Sequence, residues 1–288
     1  MSKTAARNGG VQLKEGGFMV SAAVKQTFAV CKGSGLPIFF IHGFGVDHRI
    51  FEPLDVIFEK LGGFQRIYVD MPGMGRTPPM HPAGGLTDLA QWLDEYVESC
   101  TKGGSFAMVG NSLGGLLIRR TASQRMDRCK GLAFLAPVVH PKRSERRLPP
   151  RTVLREDPAL LASVDESLAS AYQEMAVVQT REHLETYEST VLPGIRIADP
   201  DSMARLSADY ELAMDFDDRW QAFRSPALFI CGRQDSSVGY QDQFALSCKF
   251  PQSTYAALNE AGHNVHIEQP RATAALIQAW AEQVQAQV

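Results

Sequence analysis

The chain has 288 residues, of which 44% are hydrophobic and 21% are charged, and its formal net charge is −3. This is the composition of a globular protein with room for one large domain, and the small acidic excess argues against nucleic-acid binding. Five cysteines lie singly along the chain, without a Cys-x-x-Cys pair. This spacing disfavours a disulfide framework or a zinc site and predicts a cytoplasmic protein.

The first 20 residues are polar and contain four glycines. They lack the apolar segment of a secretory signal peptide, so we predict a flexible N-terminal tail over residues 1–20. No apolar run approaches the roughly 18 residues that a membrane-spanning helix needs. The expected working environment is therefore water rather than a membrane.

Short apolar runs alternate with amphipathic helical segments from Phe28 onward. The runs lack polar alternation, which is typical of strands covered by helices on both faces. Strands are predicted at 36–43, 64–70, 104–110, 129–137, 225–232 and 253–260, and helices at 51–61, 86–100, 113–124 and 271–284. This order predicts an α/β protein with a doubly wound, mostly parallel sheet, whose core spans residues 21–139 and 224–288.

The alternation of strands and helices stops between residues 140 and 223. This stretch is charged, favours helices and begins with HPKRSERRLPPR. Ligands bind beyond the carboxyl ends of parallel strands, so a helical insertion after a strand would lie over that edge. We therefore predict a helical lid over residues 140–223. Its basic cluster fits a solvated charged face better than a pocket for an anionic substrate.

The segment VGNSLGGLL at 109–117 places Ser112 among glycines, between a predicted strand and a predicted helix. A helix N-cap would explain the serine alone. The flanking Gly110 and Gly114 favour a nucleophile elbow, a tight strand–turn–helix in which neighbouring backbone leaves no space for a Cβ. The helix that begins at Leu113 would point its N–H groups at a developing oxyanion.

The segment HGFG at 42–45 ends the first strongly apolar strand. Its glycines would let the backbone N–H of Phe44 turn toward the Ser112 hydroxyl. Together with the N–H of Leu113, this donor would form an oxyanion hole. We interpret His42 as a structural residue that braces the loop.

Two later segments supply an acid and a base. CGRQDSSV at 231–238 places Asp235 in a loop after a strand, and NEAGHNVHIEQP at 259–270 places His263 after the last strand. A histidine held by a carboxylate on one ring nitrogen presents the other nitrogen as a base to serine. The chain order Ser112, Asp235, His263, with each residue just beyond a strand, therefore predicts a catalytic triad.

These segments make the chain similar to the α/β-hydrolase fold superfamily, in its lid-bearing branch of small esterases, C–C bond hydrolases and related enzymes. The similarity runs from about Phe28 to the C-terminus and is weakest in the insertion. DMPGMGRT at 70–77 is similar to a further turn of the family, in which Asp70 is interpreted as structural. In this family the base follows a glycine directly, which favours His263 over His266. The resemblance implies these roles: nucleophile Ser112, base His263, acid Asp235, and oxyanion donors Phe44 and Leu113.

The resemblance to individual subfamilies is incomplete. Haloalkane dehalogenases and epoxide hydrolases of this fold use an aspartate at the elbow, where this chain has Ser112. The meta-cleavage-product C–C hydrolases follow the catalytic histidine with a tryptophan, where this chain has Asn264. The SHCHC synthases of the menaquinone pathway share the pattern of GHNVHIEQP, yet place an arginine where this chain has Leu116.

The resemblance implies an enzyme that needs no cofactor and no metal. We expect a carboxylic-ester hydrolase of small to medium substrates that works through an acyl-enzyme. The alternative is a C–C bond hydrolase or lyase of the meta-cleavage-product or SHCHC-synthase type. A weakly catalytic small-molecule receptor is a third interpretation. The expected partner is a small-molecule substrate, with the protein as monomer or homodimer.

Overall fold

Seven strands form one sheet in the part of the chain that the computed structural model describes, residues 21–80 and 84–287. The predicted tail over residues 1–20 lies outside these residues. The sheet order is β1-β3-β2-β4-β5-β6-β7; β1 is antiparallel to β3 and the other pairs are parallel. The predicted doubly wound, mostly parallel sheet is thereby confirmed. The strands are β1 (Ala29–Lys32), β2 (Leu36–Ile41), β3 (Phe64–Val69), β4 (Phe106–Asn111), β5 (Cys129–Leu135), β6 (Ala227–Gly232) and β7 (Ser253–Leu258).

Helices cover both faces of the sheet and form the long connection between β5 and β6. The four helices expected from the sequence are present as α2, α3, α4 and α12. Along the described residues, no helix combines the length and apolar character needed to cross a bilayer. The helices are α1 (Ala22–Lys25), α2 (Glu52–Leu61), α3 (Leu86–Thr101), α4 (Leu113–Ser123), α5 (Pro158–Ala162), α6 (Glu166–Met175), α7 (Arg181–Thr190), α8 (Leu192–Ile197), α9 (Pro200–Ala208), α10 (Gln241–Ser247), α11 (Val265–Glu268) and α12 (Pro270–Gln285), with short 3-10 helices at His48–Phe51, Arg143–Glu145 and Asp217–Ala222.

The central strands bury side chains on both faces. In β2, Phe39 and Ile41 join an apolar cluster that includes residues of α3 and α4. Ile38 and Phe40 of the same strand join a second cluster that includes residues of α2 and α12. Successive strand residues point to opposite faces, so an uninterrupted apolar run gives each face its own core.

Strand β1 is an edge strand that the sequence pattern does not predict. It has four residues, three of them half-buried and one exposed, so it lacks the buried apolar run of the central strands. Its pairing to β3 runs from Ala29 opposite Val69 to Lys32 opposite Arg66. A short edge strand with a terminal lysine presents little backbone for pairing with another chain.

The insertion, residues 140–223, holds helices α5 to α9 and adds no strand to the sheet. An isolated bridge joins Arg155 to Val178 within it. Helix α8 lies against the loop after β2, because a Cβ on Gly194 would be 2.6 Å from the backbone nitrogen of Asp47. The N–H of Asp199 donates to the carbonyl of Gly73, in the loop after β3, over 2.9 Å. The insertion therefore lies over the carboxyl ends of central strands, and its role as a lid stays a prediction.

The contact between α4 and β2 generates a test of the fold. A Cβ on Gly114 would lie 1.9 Å from the carbonyl oxygen of Ile41, which is backbone and has no room to shift. We expect Gly114→Ala to lower the free energy of unfolding by about 3 kcal/mol, at the upper end of the usual overpacking range. Urea unfolding followed by circular dichroism measures this.

The control is Gln124→Ala, at the exposed end of the same helix. Away from the packed contact, a surface change is expected to alter stability by about 0.5 kcal/mol or less. Equal unfolding midpoints for Gly114→Ala and the natural chain would contradict the close approach.

Candidate active site

Ser112 occupies the sharp turn between β4 and α4. Its φ is 53° and its ψ is −115°, a left-handed conformation that is rare for a residue with a side chain. The turn is held by its surroundings: the N–H of Ser112 donates to the carbonyl of Leu135 over 3.0 Å, and its carbonyl accepts from the N–H of Val138 over 2.9 Å. The end of β5 thus fixes the strained serine at the carboxyl edge of the sheet.

The structure brings together the three side chains that the sequence predicts as a triad. His263 Nε2 lies 2.9 Å from Ser112 Oγ, and His263 Nδ1 lies 2.9 Å from Asp235 Oδ2. Asp235 is fully buried, and its Oδ1 accepts from the N–H groups of Ser237 at 2.8 Å and Val238 at 3.0 Å. A carboxylate only accepts, so Nδ1 is assigned the proton and Nε2 is free to accept from the serine hydroxyl.

The predicted oxyanion donors lie beside this serine. A Cβ on Gly43 would be 3.2 Å from Ser112 Cβ, so the loop after β2 runs directly against the elbow. Within the described residues, neither the N–H of Phe44 nor that of Leu113 donates a hydrogen bond. Leu113 also begins α4, where the helix dipole favours negative charge. Both N–H groups therefore remain available for an oxyanion beside Ser112.

His42 braces the loop after β2 as a neutral side chain. Its Nδ1 lies 2.8 Å from the carbonyl of Gly43, and its Nε2 lies 3.0 Å from the backbone nitrogen of Met71. The Met71 N–H is a donor, so Nε2 accepts and Nδ1 donates. Burial lowers the pKa of His42, in agreement with a neutral ring.

The buried carboxylate of Asp70 accepts hydrogen bonds from its surrounding loops and is not part of the predicted triad. Its Oδ1 accepts from the N–H of His48 at 2.9 Å and contacts His48 Nδ1 at 2.7 Å, and its Oδ2 accepts from the N–H of Arg76 at 2.9 Å. Burial works against ionisation, yet the pKa of Asp70 is lowered, and the hydrogen bond to the His48 side chain is the largest of the effects that outweigh burial.

Asp47, His48 and Asp70 form the one group in the described chain whose ligand atoms are close enough for a metal, within 4.8 Å of one another. Arg49 already pairs with the carboxylate of Asp47, and His48 pairs with Asp70. Cation, histidine and backbone donors thus satisfy both carboxylates, so the cluster is explained as a hydrogen-bonded turn.

The basic cluster that opens the insertion is exposed at Lys142, Arg143, Arg147 and Arg151, as expected of a solvated charged face, and half-buried at Arg146. Arg146 donates to three carbonyls, of His140 at 2.8 Å, Pro141 at 2.7 Å and Ser237 at 3.0 Å. Arg143 donates to the carbonyls of Ser236 and Ser237 at 3.2 and 3.4 Å. These guanidinium groups bind the loop that presents Asp235, a role that sequence patterns do not reveal because the acceptors are backbone atoms about 90 residues away.

Glu268 is a second residue that the sequence analysis misses. Its side chain is buried, and its carboxylate accepts from the N–H of Gly262 at 2.6 Å, just before His263. The same carboxylate accepts from the N–H groups of Val177 at 2.6 Å and Val178 at 3.2 Å, in the insertion. Burial raises the pKa of Glu268, while the three backbone hydrogen bonds oppose that shift.

Apolar side chains of the loop after β2 and of the insertion meet next to the turn that holds Ser112. The Phe44 ring is 37% exposed, and its centroid lies 6.3 Å from the ring of Tyr210, which packs edge-on. A Cβ on Gly45 would lie 3.9 Å from the sulfur of Met203 in α9. These aromatic and thioether groups form an apolar surface, which suits an apolar group of a substrate better than an anionic group.

Comparisons with known proteins agree with this geometry. A family model of the alpha/beta hydrolase fold matches residues 37–270. A 2-succinyl-6-hydroxy-2,4-cyclohexadiene-1-carboxylate synthase from Salmonella paratyphi A is 26% identical over 238 residues, 80% of this chain and 88% of that protein. A pimeloyl-(acyl-carrier protein) methyl ester esterase from Legionella pneumophila is 23% identical over 234 residues, 80% of this chain and 89% of that protein. An alpha/beta superfamily hydrolase from Oenococcus oeni PSU-1 has a TM-score of 0.82 at 24% identity, covering 93% of this chain and 98% of that chain.

His266, the competing histidine, is buried away from the serine. Its side chain is 1% exposed, and both ring nitrogens lack a hydrogen-bond partner among the described residues. Burial, followed by the charge of His263, lowers the pKa of His266 to about 4. The ring is therefore neutral in the folded protein at neutral pH.

This buried ring predicts a pH-dependent loss of stability. The folded pKa of about 4 lies below the reference value of 6.5. The stabilisation is fully present above pH 6.5 and is lost as the pH falls toward 4, by about 3 kcal/mol at most. We expect His266→Leu to reduce the fall in unfolding free energy between pH 6.5 and 4, measured by urea unfolding.

His140→Gln is the matched control, because His140 is half-buried in the described structure and its ring forms no hydrogen bond there. This variant should keep the pH dependence of the natural chain. An unchanged slope in His266→Leu would show that the buried ring does not contribute.

Proposed function

The chain belongs to the alpha/beta hydrolase fold family, and we propose that it is a serine hydrolase of carboxylic esters with small to medium acyl groups. The observation on which the proposal depends is the continuous chain of contacts from Ser112 through His263 to Asp235, at 2.9 Å in each step. Further support comes from the N–H groups of Phe44 and Leu113, which donate no hydrogen bond among the described residues. This is the set of groups that acyl transfer needs.

In the first half of the proposed reaction, Ser112 Oγ attacks the ester carbonyl carbon while His263 Nε2 takes the hydroxyl proton. Asp235 holds Nδ1–H and stabilises the imidazolium that forms. The carbonyl oxygen becomes an oxyanion that accepts from the N–H groups of Phe44 and Leu113. The loss of one such donor typically costs about 3 kcal/mol in the transition state.

In the second half, the C–O bond to the alcohol breaks and His263 protonates the departing alkoxide. The acyl group remains on Ser112 Oγ. Water then attacks the acyl carbon, and His263 takes its proton before returning one to the serine oxygen. The acid leaves, and the side chains return to their starting protonation.

An ester fits the surroundings of Ser112 better than an anionic substrate. Phe44, Tyr210 and Met203 present apolar surface near the elbow. Arg143 and Arg146 are engaged with backbone carbonyls of the Asp235 loop and the start of the insertion. An esterase relative from Legionella pneumophila lends further support.

A C–C bond hydrolase or lyase is the second candidate. The 26% identity to a 2-succinyl-6-hydroxy-2,4-cyclohexadiene-1-carboxylate synthase favours it. Against it, Leu116 stands where such synthases place an arginine, and this leucine is fully buried in the core. The site therefore lacks a cation at that position for a substrate carboxylate.

The ester proposal predicts that Ser112→Ala lowers kcat for p-nitrophenyl esters by at least about 10⁴-fold, because no nucleophile remains. The measurement is an acyl-length series from acetate to laurate, with the highest kcat/KM expected at the shorter chains. The matched control is Ser123→Ala. Ser123 is a buried serine at the end of α4, the helix that follows Ser112, and its hydroxyl donates to the carbonyl of Arg120. The variant should keep the activity of the natural chain.

Retained turnover in Ser112→Ala would refute the nucleophile. Covalent labelling by a fluorophosphonate separates the remaining cases, because it needs an activated serine and no specific acyl group. Labelling of Ser112 without turnover of any ester would refute the ester proposal and favour C–C chemistry or ligand sensing.

Asp235 generates a separate prediction. Asp235→Asn keeps the shape of the side chain but offers an N–H to His263 Nδ1, which stabilises the wrong tautomer. We expect kcat to fall by about 10⁴-fold with an unchanged fold. Steady-state kinetics and circular dichroism measure the two quantities, and activity within tenfold of the natural chain would contradict the role of the acid.

A further inference from the structure

The loop that presents His263 is fastened to the rest of the molecule at three places. At the end of β6, a Cβ on Gly232 would lie 2.0 Å from the carbonyl oxygen of Gly262. In the Asp235 loop, Gln234 exchanges hydrogen bonds with the backbone of Ala261, at 2.9 Å through its own N–H and 3.2 Å through its side chain. The third fastening point is Glu268, which reaches the insertion.

The segment 176–179 is the part of the insertion that meets this loop. Its four residues are buried, in a stretch whose neighbours are half-buried. The carbonyl of Val178 contacts Tyr172 Oη at 3.3 Å and His183 Nδ1 at 3.0 Å, so helices α6 and α7 hold the segment in place. Its position is therefore tied to that of helices α6 and α7 of the insertion.

Two independent contacts join this segment to Gly262. The first is polar: the Glu268 carboxylate accepts from Gly262 on one side and from Val177 and Val178 on the other. The second is steric, because a Cβ on Gly262 would lie 2.8 Å from Val177 Cγ2. A glycine before His263 thus lets the loop approach the insertion closely.

We propose that Glu268 is a positioning residue that couples the proposed base His263 to the insertion, so that the insertion must be seated for His263 to reach Ser112. The inference rests on the proposed serine hydrolase function. Three buried backbone N–H groups from two parts of the chain converge on one carboxylate, so loss of that acceptor leaves buried donors unsatisfied on both sides. The peptide next to His263 would then shift, and a displacement of about 1 Å can cost about 10²-fold in rate.

The first experiment measures the rate of fluorophosphonate labelling of Ser112, which requires the serine–histidine contact and no natural substrate. We expect Glu268→Gln to slow labelling about tenfold or more, because the amide places a donor against backbone donors. In ester kinetics kcat should fall in proportion, with KM changed by less than about threefold. Glu268→Asp, which keeps the charge, should recover part of the rate.

The matched control is Asp242→Asn. Asp242 is also buried, and it accepts from the backbone N–H of Arg147 in the insertion, but it does not touch the histidine loop. Its labelling rate should stay within about twofold of the natural chain. A folded Glu268→Gln protein that labels at the natural rate overturns the proposal, and so does an equal slowing in Asp242→Asn. If the natural chain is not labelled at all, it is the proposed serine hydrolase that fails.

The steric contact gives a second test that holds even if Glu268→Gln does not fold. Gly262→Ala should slow labelling about tenfold, because the new methyl pushes the loop away from Val177. The double variant Gly262→Ala with Val177→Ala removes the clashing Cγ2 and should regain at least about threefold. A regained labelling rate would show a direct coupling between Gly262 and Val177. Equal labelling rates in the single and double variants would overturn the proposal.

Discussion

The close approach of α4 to the end of β2 is the constraint on which the site depends. Gly114 allows the helix to begin against the carbonyl of Ile41, at a distance that no side chain would permit. This contact brings the start of the helix and the loop after β2 together beside Ser112. The positive φ of the serine is the cost of that geometry, and the hydrogen bonds to the end of β5 offset it.

Buried carboxylates organise the loops around this contact. Loops at the carboxyl edge of a parallel sheet have backbone N–H groups that no strand satisfies, and an unpaired buried N–H is costly. Asp70, Asp235, Asp242 and Glu268 each accept from at least one such N–H. In Asp235 one oxygen serves the loop and the other serves His263. The same hydrogen-bonding chemistry thus stabilises the loops and orients the His263 ring.

The sequence predicts the sheet and the arrangement of the triad because their signals are local. Ser112 sits between glycines that a tight turn needs, and Asp235 and His263 follow apolar runs directly. Parallel strands bring their carboxyl ends to one edge, so residues far apart in the chain meet without any knowledge of side-chain contacts. The edge strand β1 lacks such a signal, because three half-buried residues followed by an exposed one have no distinctive periodicity.

The roles of Arg146 and Glu268 cannot be predicted from local sequence patterns. Each bonds to backbone atoms 90 or so residues away, and a backbone acceptor or donor leaves no trace in the sequence of its own segment. Both residues connect the insertion to a loop of the predicted triad, Arg146 to the loop of Asp235 and Glu268 to the loop of His263. Substrate selection in this fold depends on what covers the strand ends. Relatives named for esterase and synthase reactions align with this chain. Under the proposal, the insertion holds His263 in register with Ser112, so a change of insertion would alter rate as well as specificity.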